Sequence, residues 1–97
     1  MSGDYYEEEF VDRVRYNNDL LALASEYTTL KKKGKNYMGL CPFHSEDTPS
    51  FSVDPDKQLY YCFGCGAGGN IFNFIMEIEG LTFVETIEYL AEQANID

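Results

Sequence analysis

The chain has 97 residues, 44% of them hydrophobic and 15% aromatic, and a formal net charge of −10 at neutral pH. That composition belongs to a folding chain rather than a disordered one, and the length allows only a modest core, of the kind that often needs a metal or disulfides to hold it. No apolar run approaches the roughly 20 residues of a membrane span, and the acidic start, Met1-Ser-Gly-Asp-Tyr-Tyr-Glu-Glu-Glu9, has no apolar signal core, so a cytoplasmic protein with no membrane partner is expected.

Residues 7–26 predict helix in two pieces. Phe10, Val11 and Val14 recur at helical spacing, and so do Leu20, Leu23 and Ala24. Asn17-Asn18-Asp19 interrupts the pattern, with Asp19 placed to cap the second piece. From Thr28 the pattern changes to strand. Residues 28–33 and 36–40 form a hairpin about Gly34-Lys35, and 51–53 and 58–62 form another about residues 54–57. The last third is helical again. Asn70 caps a helix carrying Ile71, Phe74, Ile75 and Ile78, and Gly80 stops it. Thr82 and Glu85 form a capping box for a final helix whose apolar side is Phe83, Ile87, Leu90 and Ala94. The class expected is α+β, a small antiparallel sheet flanked by N- and C-terminal helices.

The chain carries three cysteines and one histidine, and all four fall in two clusters. Cys41-Pro-Phe-His44 and Cys62-Phe-Gly-Cys65 are knuckles separated by 17 residues. Each brings two ligands onto one turn, and the hairpin between them lets the turns face each other. Thiolate sulfur and imidazole nitrogen are the donors zinc prefers. Gly64 and Gly66 are read as relieving the second turn, and Pro42 as stiffening the first. An odd cysteine count and a reducing cytosol disfavour a disulfide framework. A Cys62–Cys65 disulfide, free core thiols and iron in the same cage are the alternatives. Four protein ligands fill a tetrahedron, so one structural zinc is expected rather than a catalytic one, and no catalytic residue is assigned. One zinc-binding domain over 1–97 is expected: a helical lead-in at 7–26, a zinc ribbon at 28–69 and helices at 70–95.

Gly64-Cys-Gly66-Ala-Gly68-Gly69 also matches the dinucleotide fingerprint G-x-G-x-x-G. Cys65 inside it is a metal ligand, Glu85 belongs to a helix cap, and no parallel strand follows, so the match is set aside. The charge is unevenly spread. Five of the seven basic residues are Lys31, Lys32, Lys33, Lys35 and Lys57, between the first helices and the second knuckle. Aromatic residues lie on the neighbouring strands. Lysines around sheet aromatics can track phosphates and stack bases; the plainer reading is an edge strand defended by lysines over a buried aromatic core.

The runs Asn36-Tyr-Met-Gly-Leu-Cys-Pro-Phe-His44, Thr48-Pro-Ser-Phe-Ser-Val53 and Tyr61-Cys-Phe-Gly-Cys-Gly-Ala-Gly-Gly69 resemble the N-terminal zinc-binding domain of bacterial DNA primases. The resemblance extends over nearly the whole chain. It implies a zinc ribbon on an antiparallel sheet that reads single-stranded DNA template, helps choose the start of an RNA primer in replication, and presents template to a separate polymerase domain in cis or in trans. That polymerase domain would carry the nucleotidyltransferase chemistry, with the replicative helicase as a further partner at the nucleoid. On this reading Lys31, Lys33, Lys35 and Lys57, with Tyr37 and Tyr60, are the candidate nucleic-acid contacts. At Asp47 the family commonly has lysine, so no template role is carried onto it. Glu77, Glu79, Glu85, Glu88 and Glu92 read as solvated helix faces. Two rival functions remain at this point: an interaction module whose acidic helices dock a polymerase domain or helicase, and a redox protein using Cys62 and Cys65.

Overall fold

The computed structural model describes residues 7–45 and 47–96. Residues 1–6, Glu46 and Asp97 lie outside it, and with them most of the N-terminal stretch 1–9. The two-piece lead-in is α1 (Glu8–Tyr16) and α2 (Leu20–Ala24). Asp19 caps α2, its carboxylate accepting from the Ala22 N–H at 2.9 Å. The break between them also ties the fold together. The Asn18 amide donates to the Val14 carbonyl at 2.9 Å and to the Leu90 carbonyl at 3.0 Å, so the end of α1 is pinned to the last helix.

Five strands follow: β1 (Leu30–Lys33), β2 (Asn36–Gly39), β3 (Phe51–Asp54), β4 (Leu59–Cys62) and β5 (Gly68–Gly69). They form one sheet in sequence order, every neighbour antiparallel. β5 is absent from the strands the sequence predicts. Gly68 pairs with Tyr61 and Gly69 with Tyr60. Two residues without side chains offer no alternation to read.

Side chains alternate across a sheet, and the register fixes what each face carries. Phe51, Val53, Tyr60 and Cys62 point to one side and are all buried, together with residues of α1, α2, α3 (Ile71–Glu79) and α4 (Phe83–Gln93). On the other side Lys31, Met38, Ser52, Tyr61 and Gly68 form a row across all five strands. The described helices pack on the first side, so the second is open.

Both C-terminal helices start as expected. Asn70 and Asn73 form a capping box for α3, which ends at Gly80 in the left-handed conformation (φ +68°) that glycine adopts without penalty. Thr82 and Glu85 cap α4 reciprocally, at 2.9 and 3.2 Å. The apolar side of α4 is rotated from the expected stripe: Thr86, Ile87, Leu90 and Ala91 are buried. Phe83 is 45% exposed and rests edge-on against Phe72, and Ala94 is the C-cap. The cause is that α4 packs against α1 as well as α3, which turns the 86/91 side inward.

Candidate metal centre and nucleic-acid interface

Gly39, Phe51 and Cys62 stand opposite one another in the sheet. Cys41 lies two residues beyond Gly39 and Cys62 ends β4, so the register brings both knuckles to the same end of the sheet. The second knuckle is closed by Cys62 N–H to the Ala67 carbonyl and Gly66 N–H to the Cys62 carbonyl, both 2.8 Å. Gly66 takes φ +80°, as expected; Gly64, read from the sequence as sharing that role, is not at positive φ. In the first knuckle the Phe43 N–H donates to the Cys41 sulfur at 3.4 Å. The Phe43 ring packs against Phe51, Tyr60 and Phe74 at centroid separations of 6.0, 5.7 and 5.3 Å. This knuckle is therefore anchored in the core by one of the two residues between its ligands.

The donor atoms of Cys41, His44, Cys62 and Cys65 all lie within 4.8 Å of one another. The Cys41 and Cys65 sulfurs are 3.9 Å apart. A tetrahedron with metal–sulfur bonds of about 2.3 Å has edges of about 3.8 Å, so the spacing suits a shared tetrahedral ion. It is far beyond the roughly 2.05 Å of a disulfide, and all three cysteines are free. Burial pushes the Cys41 thiol up to about 12, against weaker help from the Phe43 N–H. At Cys62 burial also raises the value, but the N–H groups of Cys65 and Gly64 and the Ser50 hydroxyl outweigh it and bring the thiol down to about 7. Donors aimed at a sulfur stabilise the thiolate, the form that binds metal.

The CHC2 zinc finger family matches residues 6–97. The chain belongs to that family. Among curated relatives, DNA primase of Halalkalibacterium halodurans is 61% identical over 92% of this chain, and those of Listeria monocytogenes and Geobacillus stearothermophilus are 54% and 53% identical over 93% and 98% of it. The chain spans only about 15% of the length of these relatives: 15%, 14% and 16%. The crystal structure of the Aquifex aeolicus primase, comprising zinc-binding and RNA polymerase domains, superposes with a TM-score of 0.84 at 41% identity, over 91% of this chain and 22% of that one. The resemblance to the zinc-binding domain of bacterial DNA primases holds, as do the α+β class and the single structural zinc on Cys41, His44, Cys62 and Cys65.

The six candidate nucleic-acid residues of this CHC2 zinc finger divide by face. Lys31 and Lys33 extend from β1 on the open face, and Lys35 and Lys57 sit exposed in the two hairpin turns. Tyr37 pairs with Val53 and is half-buried on the core side. Tyr60 requires correction as a base-stacking residue. It is 5% exposed, tilted against Phe51 at 5.6 Å and edge-on to Phe74 at 5.4 Å. Burial, with the nearby Glu77, Cys41 and Cys65 charges, pushes its hydroxyl up to about 12. A ring so enclosed has no face to offer a base.

On the open face of the sheet the exposed aromatic side chains are instead Tyr61, 47% exposed, and Phe63, 70% exposed, packed edge-on at 5.0 Å. They line an open trough together with Ser52, Leu59, Gly66 and Gly68. Gly68 opposes Tyr61, and a Cβ there would come within 3.0 Å of the tyrosine ring, so its bare backbone forms the trough floor. The signal was present in the sequence. Cys62 must face its ligand partners, so Tyr60 shares its side and Tyr61 and Phe63 take the other.

Proposed function

We propose that this chain is the template-recognition part of a DNA primase, binding single-stranded DNA on the open face of its sheet to help start an RNA primer. The observation that carries the reading is the exposed Tyr61–Phe63 pair above a glycine floor, on the same face as Lys31 and Lys33. Exposed rings stack bases without regard to sequence. The lysines stand three strand spacings from Tyr61, roughly 14 Å, near enough to attract phosphate within a Debye length or two. Among the described residues none of Lys31, Lys33, Lys35 and Lys57 is in an ion pair, so their charge is available. The acidic helices lie on the other side. Their repulsion of phosphate keeps binding weak and directs it to this face.

The chemistry of primer synthesis belongs, on this reading, to a polymerase domain in the same or a second molecule, as in the Aquifex aeolicus primase, whose structure includes an RNA polymerase domain. A replicative helicase is a further expected partner.

Amide-resolved NMR titration of the zinc-loaded chain with short single-stranded DNA at low salt tests the proposal. Shifts are expected on β4, at Phe63 and along β1. Tyr61→Ala should weaken binding by about 1–3 kcal/mol, with stability changed by no more than about 0.5 kcal/mol, because the ring is half exposed. Lys33→Glu should weaken binding and lower its salt slope by about 0.7 for each phosphate left without its cation. Shifts confined to the acidic helices, or affinity indifferent to both substitutions, would reject this face as the template site.

A further inference from the structure

A second hollow lies beside the trough, at the end of α1. Its walls include Arg15, Tyr16, Asn17, Lys57, Leu59 and Asn70. It encloses about 700 Å³, within the range of small-ligand sites. Leu59, 45% exposed, borders both hollows, so they adjoin at the start of β4. Tyr16 is 83% exposed, the most exposed of the large hydrophobic side chains described. The Arg15 guanidinium sits 5.7 Å from its ring centroid. A cation on one face leaves the other face for a flat partner. Arg15 also pairs with Asp12 at 2.9 Å. Both side chains are more than 40% exposed, and such a pair holds its partner only weakly. Lys57 is exposed in the β3–β4 turn, which is fixed by N–H groups of Asp56 and Lys57 on the Asp54 carboxylate. Asp19 is the acidic group on the wall, and it is occupied by the Ala22 N–H and the Gln58 amide.

The same Gln58 joins the two hollows mechanically. Its side chain donates to Asp19 at 2.9 Å and to the Pro55 carbonyl at 2.8 Å, and accepts from the Leu20 N–H at 2.8 Å. The turn that carries Lys57 is thereby held against the α1–α2 junction that carries Tyr16. An exposed ring, two cations and a firm floor stand at the end of a strand whose outward residues, Tyr61 and Leu59, lead to it.

We propose that Tyr16, Arg15 and Lys57 form a second nucleotide-binding station, at which a single strand bound on the sheet continues along β4 and stacks a flanking base on Tyr16, with Arg15 and Lys57 on its phosphates. This rests on the open face being the template site and adds the direction the strand takes from it. The station is reached only by an oligonucleotide long enough to leave the trough.

The test compares a trinucleotide with a dodecanucleotide of thymidine on the zinc-loaded chain at low salt, by NMR titration. Tyr16→Ala should lower affinity for the dodecanucleotide roughly 5- to 100-fold and leave the trinucleotide unchanged, while Tyr16→Phe should bind both like the parent. Lys57→Glu should lower the salt slope for the dodecanucleotide alone. Tyr61→Ala should weaken both. If Tyr61→Ala weakens binding but Tyr16→Ala does not, the station is refuted and the open face stands. If Tyr16→Ala weakens both oligonucleotides equally, there is no separate station. If the parent binds neither, the template reading fails and this one with it.

Discussion

Stripping zinc from this chain, with a strong chelator or by Cys62→Ser, is expected to unfold it. Structural zinc in small domains contributes an apparent binding energy of about 10–16 kcal/mol near neutral pH. A domain as a whole is stable by only about 5–15 kcal/mol. Here the metal joins segments far apart in sequence: the turn after β2 and the turn between β4 and β5. Among the described residues no disulfide is present to take its place. Without the ion, Cys41 and Cys62 are left as buried groups, at 5% and 0% exposure, with their sulfurs crowded together. Phe43 loses the constraint of Cys41 and His44 on either side of it. Far-UV circular dichroism and amide dispersion, with bound zinc measured by elemental analysis, check the outcome. A zinc-free chain that keeps native dispersion would show that the helices and sheet suffice and that the metal merely decorates them.

The metal site was legible because its evidence is local and its residue types are scarce: two paired knuckles use every cysteine and the single histidine. The caps at Asp19, Asn70 and Thr82 were legible for the same reason, since each is decided within three residues. The interface was harder. Choosing Tyr37 and Tyr60 for stacking used residue type and nearness to lysine; alternation puts Tyr60 on the side of Cys62 and Tyr61 and Phe63 on the other, but does not by itself say which side is the core. Ligation at Cys62 settles that. It turns Tyr60 into the core and sends Tyr61 and Phe63 out, and cross-strand pairing with Val53 turns Tyr37 inward as well. Tyr16 and Lys57 could not be brought together from sequence, because the link between their turns is made by Gln58, 39 positions from its partner Asp19. Nor could the inner side of α4 be phased, since what turns Thr86 and Ala91 inward is packing against α1, a partner at the far end of the chain.

Phe74→Ala is the second substitution with a large expected effect, a loss of about 3–5 kcal/mol in the zinc-loaded protein. Its side chain is fully buried. Its ring meets Tyr27 at 5.6 Å, Phe43 at 5.3 Å, Phe51 at 6.1 Å and Tyr60 at 5.4 Å. These four partners come from the α2–β1 link, the first zinc knuckle, β3 and β4, so Phe74 is where α3 meets each of them. Removing it leaves a cavity that rigid strands can close only in part. It also frees one side of Phe43, and with it the turn that presents Cys41 and His44. Two readouts should therefore move together: the denaturant midpoint should fall at unchanged slope, and zinc should pass faster to a chromophoric chelator. Phe63→Ala is the contrast. That ring is 70% exposed, and its removal should cost no more than about 0.5 kcal/mol and leave zinc release unchanged, while weakening DNA binding. A Phe74→Ala protein that loses stability but releases zinc at the parent rate would mean that the ligand turn holds its shape without the aromatic cluster behind it.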